Sequence, residues 1–224
     1  MEYRRDFRSE FETSLAEREG APVRTVGTLR SLAIVSRHDH EDSCSRPGGS
    51  EMGWVEAGVV RKYVIHANGQ RRIIDLLLPG DFFGFEHEGP LECSLQAVTD
   101  GTVVARCERK RLLELAARDA DVGRLLQERS HQAIVRLETH LLAQGRTRSS
   151  EKVGAYLLAL TWRLGMPLRS VELPISRYDI ADHLGLAVET VCRAITDLRR
   201  AGIIGFSSPR KIAILDAHRL DNDY

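Results

Sequence analysis

Two side chains of opposite charge, Glu189 and Arg193, stand four residues apart in a stretch with helical periodicity. At this spacing both lie on one face of a helix. An arginine fork can donate two hydrogen bonds to O6 and N7 of a guanine, and a glutamate can accept one from N4 of a cytosine. We therefore predict that Glu189, Arg193 and the adjacent Cys192 contact bases in a DNA major groove. A surface ion pair without base contact is the alternative, and the two are compatible because such a pair would orient the arginine.

Residues 176–202 around this pair have the pattern of two short helices joined by a turn. Ser176 and Asp179 resemble a capping box, Gly185 supplies the turn, and Gly202 ends the second helix. The predicted inner faces consist of Ile180, Ala181, Leu184, Val191, Ile195 and Leu198. The pattern predicts a helix-turn-helix whose second helix recognises DNA, and an ordinary helical hairpin is the alternative.

Two short strands, residues 203–206 and 211–214, follow the second helix and predict a winged hairpin. Hydroxyl and basic side chains on the helices and at the wing tip suit hydrogen bonds to DNA phosphates. The residues predicted to contact the DNA backbone are Ser176, Arg177, Thr190, Thr196, Arg199, Ser207, Ser208, Arg210 and Lys211.

The charge of the chain is unevenly distributed. Its 224 residues include 32 Lys and Arg against 32 Asp and Glu, so the formal net charge is zero. Residues 146–211 nevertheless carry eleven basic and six acidic side chains, a net charge of +5 that leaves −5 for the remainder. We therefore expect a basic DNA-binding domain beside an acidic domain.

The first half of the chain is predicted to consist mainly of strands. Residues 23–107 contain short β-branched runs, and Asn68-Gly69 between two of them predicts a hairpin. Short strands at regular spacing indicate an antiparallel β-roll. We expect the polar residues 37–53 to form a long loop and residues 4–18 to form an amphipathic helix.

The pattern over residues 119–144 predicts one helix of about 39 Å, which is long for a helix within a domain. Its apolar residues follow steps of three and four, as in a packing seam. The predicted dimer contacts are Leu126, Ile134, Leu137 and Leu141. The expected fold class is α+β, with an N-terminal helix and antiparallel β-roll over 1–118, a dimerisation helix over 119–145 and a winged helix-turn-helix over 146–224.

Several other classes of protein find little support in the sequence. The N-terminus lacks the apolar core of a secretory signal, and no run reaches the roughly 18 apolar residues of a membrane helix, so we expect a cytoplasmic protein without a membrane partner. The four cysteines form no C-x-x-C pair, which argues against a zinc ribbon or a clustered iron–sulfur site. Residues 38–42 contain metal-ligand side chains, but a solvated loop is the expected structure. A metal-binding β-roll enzyme is the alternative from another class, and without a complete ligand set or a nucleophile motif we expect no enzyme.

The order of these parts resembles the CRP/FNR family of bacterial transcription regulators over nearly the whole chain. The motifs that carry this resemblance most specifically are residues 78–84, LPGDFFG, and residues 179–193, DIADHLGLAVETVCR. The Glu189 and Arg193 pair is similar to that of the FNR and FixK-like branches, in which it helps to recognise an inverted TTGA-type repeat. The resemblance implies a cyclic-nucleotide-binding-like roll, a homodimer that activates transcription through RNA polymerase, and target genes of microaerobic respiration or nitrogen fixation.

Two departures from the family concern effectors. FNR holds an iron–sulfur cluster on clustered N-terminal cysteines, whereas the first cysteine here is Cys44. The stretch that matches the cyclic AMP cassette, residues 84–94, has no arginine and carries three glutamates that would repel a phosphate. We therefore expect that the protein holds no cofactor. We expect it to be a FixK-like regulator that is active without a known effector. A sensor that depends on haem or another small molecule is the alternative, although no axial-ligand motif supports it.

Cys192 carries a second hypothesis. FNR has serine at the matching position, so Cys192 is interpreted either as a tolerated small residue or as a redox switch. Oxidation would add bulk or negative charge beside the DNA phosphates. The second interpretation predicts that peroxide weakens DNA binding.

Overall fold

The computed structural model describes residues 23–44, 50–85, 93–164, 171–172, 175–208 and 211–222. The chain divides into two compact units, one formed by Met1–Val64 with Asp75–Val135 and one formed by Ile65–Ile74 with Arg136–Tyr224. The helix predicted over 4–18 lies outside the described residues. The three-part division at residues 118 and 145 stays a prediction.

Antiparallel strands dominate the N-terminal half. They are β1 (Ile34–His38), β2 (Glu51–Ala57), β3 (Val60–Ile65), β4 (Arg71–Leu77), β5 (Phe82–Phe83), β6 (Ser94–Ala97) and β7 (Thr102–Glu108). One sheet has the order β1-β7-β2-β5 and another the order β4-β3-β6. The described registers, β1 with β7, β2 with β5 and β7, and β3 with β6, are all antiparallel. The predicted antiparallel roll is confirmed, and Gly69, at φ +81°, lies in the turn between β3 and β4.

The segment before β1 differs from its predicted structure. Val23–Leu32 forms a helix, α1, where the sequence pattern predicted strands. Val26 and Leu29 lie on one face of this helix and pack into the same buried cluster as Trp54. Packing of this face outweighs the β preference of valine and threonine.

Strands occupy both ends of the polar stretch over 37–53, where a loop was predicted. β1 continues to His38, which pairs with Thr102 of β7, and β2 begins at Glu51, opposite Glu108. Both β1 and β2 pair with β7, and this pairing extends each strand into polar residues that had predicted a loop.

Among its described residues, the first unit contains two clusters of buried side chains. In one, the rings of Trp54 and Phe82 stack with their centroids 5.4 Å apart. The other takes side chains from strands of both sheets, and its members are Cys44, Val55, Val60, Leu77, Phe83, Leu95, Ala97 and Val104.

Two helices follow the strands, α2 (Arg109–Arg118) and α3 (Ala120–Gly145). The long helix predicted from residue 119 is thus present, with 26 residues. Among the described helices, none combines the length and the apolar character that crossing a membrane requires.

The second unit contains the remaining helices and a small sheet. Its elements are α4 (Ser149–Leu164), β8 (Val171–Glu172), α5 (Arg177–Leu184), α6 (Val188–Arg200), β9 (Ile204–Ser208), β10 (Lys211–Ile214) and α7 (Ala217–Asn222). The sheet is antiparallel with the order β8-β10-β9. Helices α5 and α6 with this sheet form the predicted winged helix-turn-helix. Helix α7 was not predicted, and its Leu220 packs against Gly154 of α4.

Candidate nucleic-acid interface

Helix α5 begins at the predicted capping box. The Ser176 hydroxyl accepts a hydrogen bond from the Asp179 amide at 3.1 Å, and the Ser176 amide donates to Oδ2 of Asp179 at 3.2 Å. The same hydroxyl donates to Oδ2 of Asp179 at 2.7 Å. The hydroxyl proton of Ser176 is therefore used within the helix cap, and its oxygen is left with acceptor capacity only.

A glycine turn joins the two helices. Gly185 has φ +68° and ends α5 in the left-handed conformation, which a side chain with a Cβ adopts only with strain. Each predicted inner-face residue is buried in the structure, as are Asp179, His183 and Ala194. Packing thus fixes the outer face of α6.

The outer face of α6 presents the predicted base-contacting pair. Glu189 and Arg193 are both exposed, and neither forms an ion pair within the described part of the chain. Ala187 occupies the N-cap position and offers no side-chain cap. The amides of Thr190 and Val191 donate to the Ala187 carbonyl oxygen, so the amides of Val188 and Glu189 are the ones that can face an anion.

The helix residues that are predicted to contact the DNA backbone differ in their exposure to solvent. Arg177 and Arg199 are exposed, whereas Thr190 and Thr196 are half-buried. The hydroxyl of Thr196 donates to the carbonyl oxygen of Cys192 at 2.9 Å, which leaves it as an acceptor.

The wing is described only in part. In β9 and β10, Ser208 lies opposite Lys211, so the strands meet in a short hairpin. Arg210 and the side chains of Ser207, Ser208 and Lys211 lie outside the described residues. Their phosphate contacts stay predictions.

Cys192 has a partner that sequence spacing did not indicate. Nη1 of Arg177, at the start of α5, donates a hydrogen bond to Sγ of Cys192 at 3.5 Å. The two residues are 15 positions apart, and only the crossing of the two helices brings them together.

Two arginines of β4 contact α5, and sequence spacing did not indicate these contacts either. Nε and Nη2 of Arg71 both lie 2.8 Å from Oδ2 of Asp182, and Nη2 lies 3.3 Å from Oδ1 of Asp179. Nη1 of Arg72 donates to the carbonyl oxygen of Asp182 at 3.5 Å. Opposite charges in the hairpin and in α5 were visible in the sequence, but nothing there specified their pairing.

A histidine pair lies behind α5. His183 is buried, and its ring centroid lies 3.9 Å from that of His140 on α3. Nδ1 of His183 faces the carbonyl oxygen of Ile73 at 3.3 Å, and Gln144 donates to the His183 carbonyl oxygen at 3.1 Å. Burial, followed by the repulsion of His140, lowers the pKa of His183 to about 3. The imidazole is therefore neutral near pH 7 and joins the hairpin, α3 and α5.

The predicted dimer residues of α3 fall into two groups. Leu126 is buried in the core cluster of the first unit and packs within its own subunit. Ile134, Leu137 and Leu141 are exposed, and Leu141 keeps 70% of its residue surface accessible. Val135 and Leu142 are exposed beside them.

The described part of the roll, without residues 86–92, has an apolar interior that offers little to a cyclic nucleotide. The cluster that joins its two sheets is apolar and closely packed. Arg61, next to Val60 of this cluster, is buried, and Gln96 and Glu41 already accept its hydrogen bonds. Residues 86–92 of the matching cassette lie outside the described residues. The part of the roll that is described therefore does not fit a nucleotide phosphate.

The histidines of residues 38–42 are engaged in local contacts. Nε2 of His38 lies 2.8 Å from the Ser36 hydroxyl, and the ring of His40 lies beside Glu41. Among the described residues, no group of three or more His, Cys, Asp or Glu side chains is arranged to hold a metal ion.

A strand roll, a long helix and a winged helix-turn-helix with an exposed recognition face together define a DNA-binding transcription regulator. Residues 46–119 match the cyclic nucleotide-binding domain family, and residues 151–222 match the Crp-like helix-turn-helix domain family. The chain is 34% identical to the nitrogen fixation regulation protein FixK of Azorhizobium caulinodans over 95% of its own length and 87% of that protein. It is 33% identical to FixK of Rhizobium meliloti over 88% of its own length and 86% of that protein.

Solved structures agree with this assignment. FixK2 from Bradyrhizobium japonicum superposes with a TM-score of 0.75 at 34% identity, covering 85% of this chain and 96% of that one. A CooA mutant from Carboxydothermus hydrogenoformans, at 17% identity and a TM-score of 0.71, shares the fold over 88% of this chain and 89% of its own. The chain belongs to the CRP/FNR family, in its FixK-like branch, and is a transcription regulator, not an enzyme.

Proposed function

We propose that the protein activates transcription as a homodimer that binds an inverted repeat of TTGA-type half-sites through α6. The observation that carries this proposal is the exposed pair of Glu189 and Arg193 on a helix whose opposite face is fully buried. A rigid helix of this kind presents both side chains to base edges at a fixed depth, as major-groove recognition requires.

Phosphate contacts would fix the position of α6 in the groove. The residues that we assign to them are Ser176, Arg177, Thr190, Thr196, Arg199, Ser207, Ser208, Arg210 and Lys211. Because a phosphate oxygen only accepts, Ser176 and Thr196 would contact it after their hydroxyls turn away from Asp179 and from the Cys192 carbonyl oxygen. Arg177 and Arg199 are exposed at opposite ends of the helix-turn-helix, and the uncapped start of α6 supplies further donors. These contacts contribute affinity and salt dependence without sequence preference.

A dimer through α3 would supply the two-fold symmetry of the site. Ile134 and Leu141 are exposed seven residues apart, with Leu137 between them. An exposed apolar seam with this spacing is typical of helices that pair in a coiled coil. Two recognition helices would then lie about one turn of DNA, or 34–36 Å, apart.

We propose that neither a cyclic nucleotide nor an iron–sulfur cluster controls this regulator, and that oxidation of Cys192 does. The relatives named as nitrogen fixation regulators suggest target genes in nitrogen fixation. The family resemblance suggests genes of microaerobic respiration as the other class of target. Activation at such promoters would proceed through contact with RNA polymerase.

Selection of bound duplexes from a random pool, with reduced protein and no added ligand, tests the proposal. We expect enrichment of two TTGA-type half-sites in inverted orientation. Enrichment of an asymmetric motif, or of none, would contradict it. Enrichment that requires added haem or another small molecule would instead support the effector-dependent alternative.

A further inference from the structure

The start of β4 lies along helix α5 with three consecutive residues. Arg71 contacts the carboxylates of Asp179 and Asp182, which are three positions apart on one helix face. Arg72 reaches the Asp182 carbonyl oxygen, and the Ile73 carbonyl oxygen faces His183. The hairpin, residues 65–74, therefore contacts the first helix of the helix-turn-helix from its first turn to its last.

Arg71 completes the cap of α5. Oδ2 of Asp179 accepts from the amide and the hydroxyl of Ser176, and Oδ1 accepts from Arg71. The Asp179 side chain is only 4% exposed. A buried carboxylate that loses its counter-charge is strongly destabilising, so the orientation of α5 depends on this guanidinium.

Arg72 holds the other end of the same helix. Its guanidinium occupies the space that a Cβ on Gly185 would need. The turn that leads into α6 is thus covered by the hairpin. Because α5 and α6 share one core, a shift of α5 also shifts the outer face of α6.

We propose that the hairpin positions the DNA-contacting helix, with Arg71 as the central positioning residue. The inference rests on the proposed role of α6 and deepens it. Arg71 acts through Asp179 and Asp182, and no contact between Arg71 and DNA is part of the proposal. The hairpin would set the angle at which Glu189 and Arg193 meet the bases, and hence would affect specific binding more than non-specific binding.

Two single substitutions in the full-length chain distinguish a positioning role of Arg71 from a simple effect of net charge on DNA binding. Arg71→Gln removes a positive charge, and Asp182→Asn removes a negative one. A charge effect on DNA binding would weaken the first variant and strengthen the second. Positioning predicts that both bind the selected duplex about tenfold more weakly, a loss of about 1.4 kcal/mol, and that the double variant is no weaker than either.

The measurement is binding to the duplex that the wild-type protein enriches, beside a scrambled duplex. Binding to the scrambled duplex should change less than twofold. Arg37→Gln, an exposed arginine on β1, is the charge-matched control and should bind like the wild type. Arg71→Lys keeps the charge without the fork and should show an intermediate loss even if Arg71→Gln folds poorly.

Unchanged specific affinity in Arg71→Gln, or tighter binding by Asp182→Asn, would overturn the inference. Failure of the proposed function has a different signature, since the wild-type protein would then enrich no symmetric duplex. If it enriches a sequence unlike the TTGA type, the comparison is made on that sequence.

Discussion

Arg177 and Cys192 meet across the two helices of the helix-turn-helix, where a guanidinium nitrogen donates to a thiol sulfur at 3.5 Å. The contact joins a predicted phosphate-binding residue to the proposed redox residue. Hydrogen peroxide converts a thiol to a sulfenic acid and water, and further oxidation gives a sulfinate. A negative charge on Cys192 would hold Arg177 away from DNA and repel phosphates.

Peroxide should therefore lower the affinity of the wild-type protein for its selected duplex at least about tenfold, while Cys192→Ser keeps its affinity. Cys44 and Cys107 are buried, and burial raises the pKa of both to about 11, so few of these thiols are reactive thiolates. Cys93 is half-buried. The control variant Cys93→Ser should lose DNA affinity in peroxide as the wild type does. Equal losses in wild type and Cys192→Ser, measured by fluorescence anisotropy, would end the redox proposal.

Gly185→Ala should destabilise the protein by about 1–2 kcal/mol through its left-handed backbone. A further cost of about 0.5–1.5 kcal/mol should follow because the new methyl group displaces Arg72 from its hydrogen bond to Asp182. Gly202→Ala is a matched control, since Gly202 has the same φ of +68° and open space around it. Urea unfolding measures both variants, and equal losses would show that the Arg72 contact contributes nothing.

Acid should weaken the folded state through His183. The pKa of its imidazole is about 3 in the folded chain and about 6.5 in an unfolded one. Between these values the unfolded state binds a proton that the folded state does not. The contribution of His183 to the free energy of unfolding is therefore complete above pH 6.5. It is lost as pH falls toward 3, by at most about 1.4 kcal/mol per pH unit.

His183→Asn keeps a donor near the Ile73 carbonyl oxygen and removes the titrating group. Urea unfolding between pH 7.5 and 4.5 should show a shallower loss of unfolding free energy than in the wild type. His218→Asn, at an exposed position, should leave the wild-type slope unchanged. A slope in His183→Asn as steep as in the wild type would contradict the assignment.

Periodicity and turn chemistry were enough to predict the helix-turn-helix. Ser176, Gly185 and the inner-face residues satisfy local rules that operate within a few positions of the chain. The contacts of Arg71 and Arg177 could not be predicted in this way. Arg71 reaches Asp182 over 111 positions of sequence and Arg177 reaches Cys192 over 15, both beyond the range of these local rules. Many acidic or polar groups were equally available as partners.

Similar limits apply in the first half of the chain. Asn68-Gly69 marked its hairpin because the turn requires a positive φ. Helix α1 was missed because Thr25 and Val26 are β-branched and have β preference, and the packing of Val26 and Leu29 into the cluster around Trp54 makes a helix favourable there. Leu126 and Leu141 belong to the same apolar periodicity, and the sequence alone did not show that the first packs inward while the second is exposed.

Arg193→Ala should cost about 1–3 kcal/mol of binding free energy and relax base preference at one position of each half-site. Arg199→Ala should instead weaken binding to all sequences alike and reduce the salt slope by about 1, because it removes a phosphate contact. Binding to duplexes with single substitutions over a range of salt distinguishes the two. Unchanged base preference in Arg193→Ala would remove it from the base-contacting set.

Ile134→Glu and Leu141→Glu should convert the dimer into folded monomers. Both side chains are exposed, so the substitutions leave the core of each subunit intact but place charges in the proposed seam. Loss of simultaneous contact with two half-sites should reduce affinity for the inverted repeat by at least about 100-fold. Leu113→Glu places the same charge at another exposed leucine, on α2, and should stay dimeric. Sedimentation and DNA binding measured together test the prediction, and a dimeric Leu141→Glu protein with wild-type affinity would exclude this seam as the interface.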